Sequence, residues 1–188
     1  MKAAPQGIMA MLPAINILLF AWTIGAVVRD VETGKYLASM ANGNLPIEVL
    51  PAVVFILSCA MAFATGTSWG TFGIMLPLAG DMAAASDISL MLPMLAAVLA
   101  GSVFGDHSSP ISSTSILSAT GAGCHHIDHV MTQLPYALAI AFGAALGYLV
   151  MGLMHSVLAG FTVSALWFLI FSGYHLRKAR MHRALAVA

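Results

Sequence analysis

Charge is what this sequence has least of. Seven Lys and Arg face seven Asp and Glu in 188 residues, so charged side chains make up 7% of the chain and the net charge is zero. A balanced chain of this kind has no broad basic surface, which excludes nucleic acid as a partner. Cysteine is scarcer still. Cys59 and Cys124 stand far apart, in or beside apolar stretches, which excludes a disulfide frame or a zinc site and marks both as small buried residues.

What is present is hydrocarbon. Hydrophobic residues make up 60% of the chain, far outside the range of a soluble domain, and the fold class that follows is an all-α integral membrane protein. Crossing ~30 Å of hydrocarbon at ~1.5 Å per residue takes a long apolar run. Ile8–Val28, Leu134–Met154 and Val157–Tyr174 meet that need plainly, giving spans at about 8–28, 134–154 and 157–174 in one transmembrane domain, 1–188. Only Lys2 precedes the first run and no small-residue cleavage site follows before Arg29, so this run is expected to stay in the mature chain and not act as a signal peptide. Between them, Ile47–Ala64, Phe72–Ala85 and Ile88–Phe104 are apolar but short. They read as re-entrant or broken helices over about 47–85 and 88–122, so the bundle contains discontinuous helices.

Two polar stretches cause the interruptions: "ATGTSWGTFG" at 64–73 and "GDHSSPISST" at 105–114. An unpaired backbone group in hydrocarbon costs several kcal/mol, so irregular backbone survives there only beside protein or a wet cavity. Gly66, Gly70, Gly73 and Gly105 permit turns, and Pro110 withdraws a donor, which should free carbonyls near Phe104 to Asp106. Thr65, Thr67, Ser68 and Thr71 in the first break, and Ser108, Ser109, Ser112, Ser113 and Thr114 in the second, add neutral oxygens around one carboxylate, Asp106. That set suits a small, hard cation. Residues 105–114 are expected to be non-helical, near the middle of the membrane, and to face residues 65–71. Asp106 also suits the cap of a half-helix beginning near Ser109, and His107 suits either a proton relay or a neutral hydrogen-bond partner.

The tail 175–188 carries Arg177, Lys178, Arg180 and Arg183 directly after the last span. The positive-inside rule makes that end cytoplasmic, with His155–Ser156 an outer turn and "GCHHIDHVMTQ" an inner loop. The same rule does not decide whether 88–122 is one broken span or a hairpin.

The stretches "ATGTSWGTFGIMLPLA", "VFGDHSSPISSTSILSATGAG" and "HIDHVMTQLPYAL" resemble, in that order, the C-terminal half of NhaC-type Na+/H+ antiporters, from about Ile15 to Leu149. The resemblance implies one half of an inverted-repeat secondary transporter in the cell inner membrane, exchanging Na+ and H+ across the bilayer, with no cofactor, no enzyme activity and no metal beyond Na+. Asp106 would be the carboxylate for which proton and sodium compete. The family's usual cysteine and second aspartate are replaced here by Ser108 and Ser113. At about half the family's usual length, the chain is expected to need a missing N-terminal half or a homo-oligomer. An exchanger of an organic acid or amino acid coupled to Na+ or H+ is the alternative, followed by a non-transporting fragment or accessory subunit.

Other features have plainer readings. His125 and His129, spaced i and i+4 around Asp128, fit a polar loop and helix cap or a pH-responsive cluster better than zinc, because no third strong ligand is evident. A membrane metallohydrolase would need that third ligand. Pro13 and Asn16 suit an interhelical contact in the first span. The pairs Gly101/Gly105 and Gly143/Gly147 suit close helix packing, the second pair also self-association. Methionines are filler, and Trp167 and Tyr174 suit interfacial anchors.

Overall fold

The computed structural model describes residues 46–187 without interruption and, before them, positions 19, 20, 23, 26, 27, 30–32 and 36, with side chains described as far as Lys178. Apart from those scattered positions, the expected first span Ile8–Val28, with Pro13 and Asn16, lies outside the described residues. A 3-10 turn, Ile47–Val49, opens into α1 (Leu50–Thr65), which is followed by α2 (Ser68–Ser86). A second 3-10 turn, Ile88–Leu90, opens into α3 (Met91–Ser108), then α4 (Ser113–Ala122), α5 (His126–Met154) and α6 (Val157–Val187). The described residues contain no strand.

Four of these helical stretches are long and apolar enough to cross a membrane: Ile47–Thr65, Ile88–Ser108, His126–Met154 and Val157–Lys178. The 3-10 turns supply the missing length. They extend the runs that look short in sequence, and Pro51 favours helix initiation at α1. Asp87 starts the second turn by accepting the Ser89 amide at 2.8 Å, which holds its carboxyl below the usual range.

α1 and α3 lie side by side in the same direction, because glycine lets their backbones touch. A Cβ on Gly101 would stand 2.5 Å from the Phe55 carbonyl and one on Gly105 would stand 2.4 Å from the Cys59 carbonyl. α2 runs the opposite way: Ser68 at its start meets Asp106 near the end of α3, and Gly80 near its end approaches Met91 at the start of α3. Leu50, Val54 and Phe55 of α1, Met75 and Met82 of α2, and Met94 and Val98 of α3 fill the core between them. The methionines suit the uneven gaps that glycines leave.

α5 returns antiparallel along this unit. Tyr148 packs its ring 5.2 Å from that of Phe55, and Gly152 touches the Glu48 carbonyl. Residues 126–133, expected as part of an inner loop, form the first turns of α5. His125 enters in an extended conformation and Asp128 stands in the first helical turn, where a carboxylate complements the helix N-terminus. His155, at φ 47°, turns α5 into α6.

Two expectations need correction here. The Gly143/Gly147 face is not free for self-association, because α6 occupies it: added Cβ atoms would meet the Trp167 ring at 2.2 Å and Ser164 Oγ at 2.0 Å. Trp167 therefore acts as a packing residue and not as an interfacial anchor, with its indole N–H donating to the Ala139 carbonyl at 2.7 Å. Tyr174 remains exposed. The expectation that both cysteines are buried fails: Cys59 is half-buried in α1, and Cys124 is exposed in the turn between α4 and α5.

Candidate functional site

The first break is only two residues long. Gly66 takes the left-handed conformation, φ 66° and ψ 24°, and ends α1. Thr67 is extended and starts α2 by accepting the Gly70 amide on its hydroxyl at 3.4 Å. Side-chain capping of this kind satisfies a donor that the helix start leaves open.

The second break is also narrower than expected. Residues 105–108 are helical and belong to the last turn of α3, so only 109–112 interrupt the chain. The reason is that proline acts on the residue before it: Ser109 is pushed into an extended conformation, φ −73° and ψ 134°, and α3 ends there. Ser112 then starts α4 by accepting the Thr114 amide at 3.1 Å. The two breaks touch, since a Cβ on Gly66 would stand 2.9 Å from the Ile111 side chain. Gly66 is therefore fixed both by its positive φ and by this close approach. Gly105 has a different part from the turn expected of it: it lets α1 and α3 pack.

Asp106 lies between these two helix starts and is 8% exposed. One carboxylate oxygen accepts the Ser68 hydroxyl at 3.0 Å. The other accepts the hydroxyls of Ser112 and, at 3.4 Å, Thr114. Ser68 is the first residue of α2 and Ser112 caps α4, so two positively polarised helix N-termini converge on one carboxylate. All its hydrogen-bond partners are neutral hydroxyls, and Asp106 is not itself the cap of α4.

Other expected site residues fall elsewhere. His107 is exposed, at the polar end of a groove of about 640 Å³ between α3 and α5, with Ser108 and Gln133. Thr65 is exposed and bonds back to the Met61 carbonyl at 2.9 Å. Thr67 and Gly70 shape the start of α2. Ser109 is fully buried, its hydroxyl accepting the Ile111 amide at 3.3 Å.

The carbonyls expected to serve a cation are engaged instead. Those of Gly105 and Asp106 accept the Ser109 amide. The His107 carbonyl accepts Ser115 Oγ at 3.1 Å and Gln133 Nε2 at 3.3 Å, and the Pro110 carbonyl accepts His126 Nε2 at 2.6 Å. The oxygens that the structure gathers on the Asp106 carboxylate are those of side chains. His126 and Gln133 are the residues sequence reasoning missed; the only signal was their position just after the second break. Among the described residues no three His, Cys, Asp or Glu converge as metal ligands.

The place of Asp106 along the bundle follows from its neighbours. Asp106 sits near the end of α3 and not halfway along it, beside the part of α5 where Gln133 reaches His107 and Tyr136 packs 5.5 Å from His175. His175 stands just before Arg177 and Lys178. The site therefore lies toward the end of the bundle that carries the basic tail.

The family model described as the Na+/H+ antiporter family matches residues 1–153. An uncharacterized protein of Haemophilus influenzae is 58% identical over 85% of this chain and 31% of its own length. The malate-2H(+)/Na(+)-lactate antiporter of Bacillus subtilis is 30% identical over 82% of this chain and 33% of its own. An uncharacterized Na(+)/H(+) antiporter of Haemophilus influenzae is 29% identical over 81% and 32%. The chain thus spans about a third of the length of these relatives, less than the half expected from sequence. No solved structure matches the chain.

Proposed function

The chain belongs to the Na+/H+ antiporter family, and from that premise we propose that it forms part of a secondary antiporter in which Asp106 binds a proton and a sodium ion by turns. It is a multi-pass membrane protein, with four helices long and apolar enough to cross. The observation that carries the proposal is a buried carboxylate held only by the hydroxyls of Ser68, Ser112 and Thr114.

A hydroxyl both donates and accepts. With Asp106 ionised and no ion present, the three hydroxyls point their protons at it. When Na+ arrives they rotate, offering lone pairs to the cation beside the carboxylate. When a proton arrives instead, the carboxyl donates to one of them. One group with two mutually exclusive occupants couples the two movements, provided that access alternates between the two sides. An inward proton gradient would then drive Na+ out of the cell.

The remaining two thirds of sequence that the relatives possess, or a second copy, would complete the site. This chain alone, reconstituted in vesicles, is then expected to insert but to carry out no exchange. Asp106→Asn in the complete transporter should abolish Na+-driven proton flux, read with a pH dye under an imposed Na+ gradient. Normal flux would move the coupling carboxylate elsewhere. A second reading rests on the groove between α3 and α5, whose polar end at His107, Ser108 and Gln133 adjoins the site, and on the organic anions named for the Bacillus relative. It describes an organic acid exchanger coupled to the same ions. Proton flux that requires lactate or malate in addition to Na+ would favour it.

A further inference from the structure

One helical turn away from Asp106, toward the middle of the bundle, three further hydroxyls stand at one level. Ser102 precedes Asp106 by four residues in α3 and so lies on the same face, ~6 Å along the axis. Ser58 of α1 stands at the level of the preceding residue, because a Cβ on Gly101 would stand 3.0 Å from Ser58 Cβ. Thr71 of α2 reaches the same level: Ser68 meets Asp106, and the antiparallel course of α2 carries Thr71 one turn down as α3 descends to Ser102. Ser58 and Ser102 are 0% exposed and Thr71 is 1% exposed.

Two of the three hydroxyls are orphans. Ser58 Oγ and Ser102 Oγ have no hydrogen-bond partner, while Thr71 donates to the Thr67 carbonyl at 3.0 Å and keeps its lone pairs. A buried serine in a helix ordinarily bonds the carbonyl one turn back, and a buried hydroxyl left open costs about 1–3 kcal/mol. Two such costs at one level, in line with the only carboxylate of the site, call for an occupant that both can face.

We propose that Ser58, Thr71 and Ser102 form a second resting position for the transported cation, one turn deeper than Asp106, through which a desolvated Na+-sized ion passes on its way to or from the carboxylate. The inference rests on the reading of Asp106 as the ion-binding group. Three neutral oxygens with no charge bind weakly, as a transit position should. The ion is held by lone pairs, with each hydroxyl proton turned away.

The test uses the complete transporter in vesicles. The double variant Ser58→Ala and Ser102→Ala should raise the Na+ concentration for half-maximal proton flux about tenfold, ~1.4 kcal/mol, without lowering the melting temperature measured in Na+-free buffer. Thr71→Val, which keeps the shape, should shift Na+ dependence in the same direction and serves if the double variant fails to fold. An unchanged Na+ dependence in both, with the double variant simply more heat-stable, would overturn the second position and leave the serines as uncompensated packing groups or water ligands. Asp106→Asn run in parallel separates the two claims: retained Na+-driven flux in that variant defeats the reading of Asp106 itself, whatever the serines do.

Discussion

Replacing Gly105 with alanine should loosen the bundle and the site together. The added Cβ would lie 2.4 Å from the Cys59 carbonyl, 2.6 Å from the Phe63 amide nitrogen and 2.7 Å from Ala62 Cβ. Two of these are backbone atoms, which cannot rotate away, so α1 and α3 must separate by about 1 Å to restore ordinary contact. Overpacking of this kind costs about 1–3 kcal/mol. The next residue is Asp106, whose bond from Ser68 is 3.0 Å long and would stretch past the range of a hydrogen bond if α2 followed α1 outward. Thermal unfolding of the purified protein in detergent, with and without Na+, reads both effects: a lower midpoint and a smaller Na+-induced rise. Gly121→Ala is the control, since a Cβ there meets nothing within 4 Å and alanine in a helix is worth up to about 1 kcal/mol over glycine. If Gly105→Ala melted with the wild type while Gly121→Ala behaved as expected, the close contact of α1 and α3 would be wrong.

Three further outcomes follow from the packing. Trp167→Phe keeps a ring over Gly143 but loses the 2.7 Å bond to Ala139, so it should cost about 1 kcal/mol in the same melting assay; no change would mean that α6 does not rest on α5 as described. Cys124, exposed before α5, and the tail after α6 stand on one side because α5 and α6 are antiparallel, so an impermeant maleimide should label Cys124 only from the face where a tail epitope is accessible, and labelling from the opposite face would contradict the topology. His126→Ala removes the bond to the Pro110 carbonyl and should cost about 1 kcal/mol, whereas His125→Ala, at an exposed position, should cost nothing measurable; equal effects would deny His126 its hold on the second break.

The helical class and the two interruptions were legible because both depend on local chemistry. Apolar runs of membrane length, Gly66 and Pro110 act through their own backbone, and Asp106 stood out as the carboxylate among hydroxyls. The extent of the breaks was less legible, since a polar sequence such as Gly105–Ser108 stays helical when it is buried against α1. That His126 matters, and not the His125 and His129 that the spacing singled out, depended on which ring reaches Pro110, sixteen residues earlier in the chain. Pairings of that span follow from the antiparallel return of α5, which no periodicity encodes. The same holds for Gly143 and Gly147: their spacing announced a close contact, but only the fold shows that α6 makes it.

Competition at Asp106 is tested most directly by proton release on sodium binding. Purified transporter in weakly buffered solution, at a series of pH values, is mixed with NaCl and followed with a pH dye, with choline chloride as the control for ionic strength. If one carboxylate holds either ion, Na+ should expel up to about one proton per site. Asp106→Asn should release none. Sodium binding that releases no protons at any pH in the wild type, or the same release from Asp106→Asn, would contradict the account.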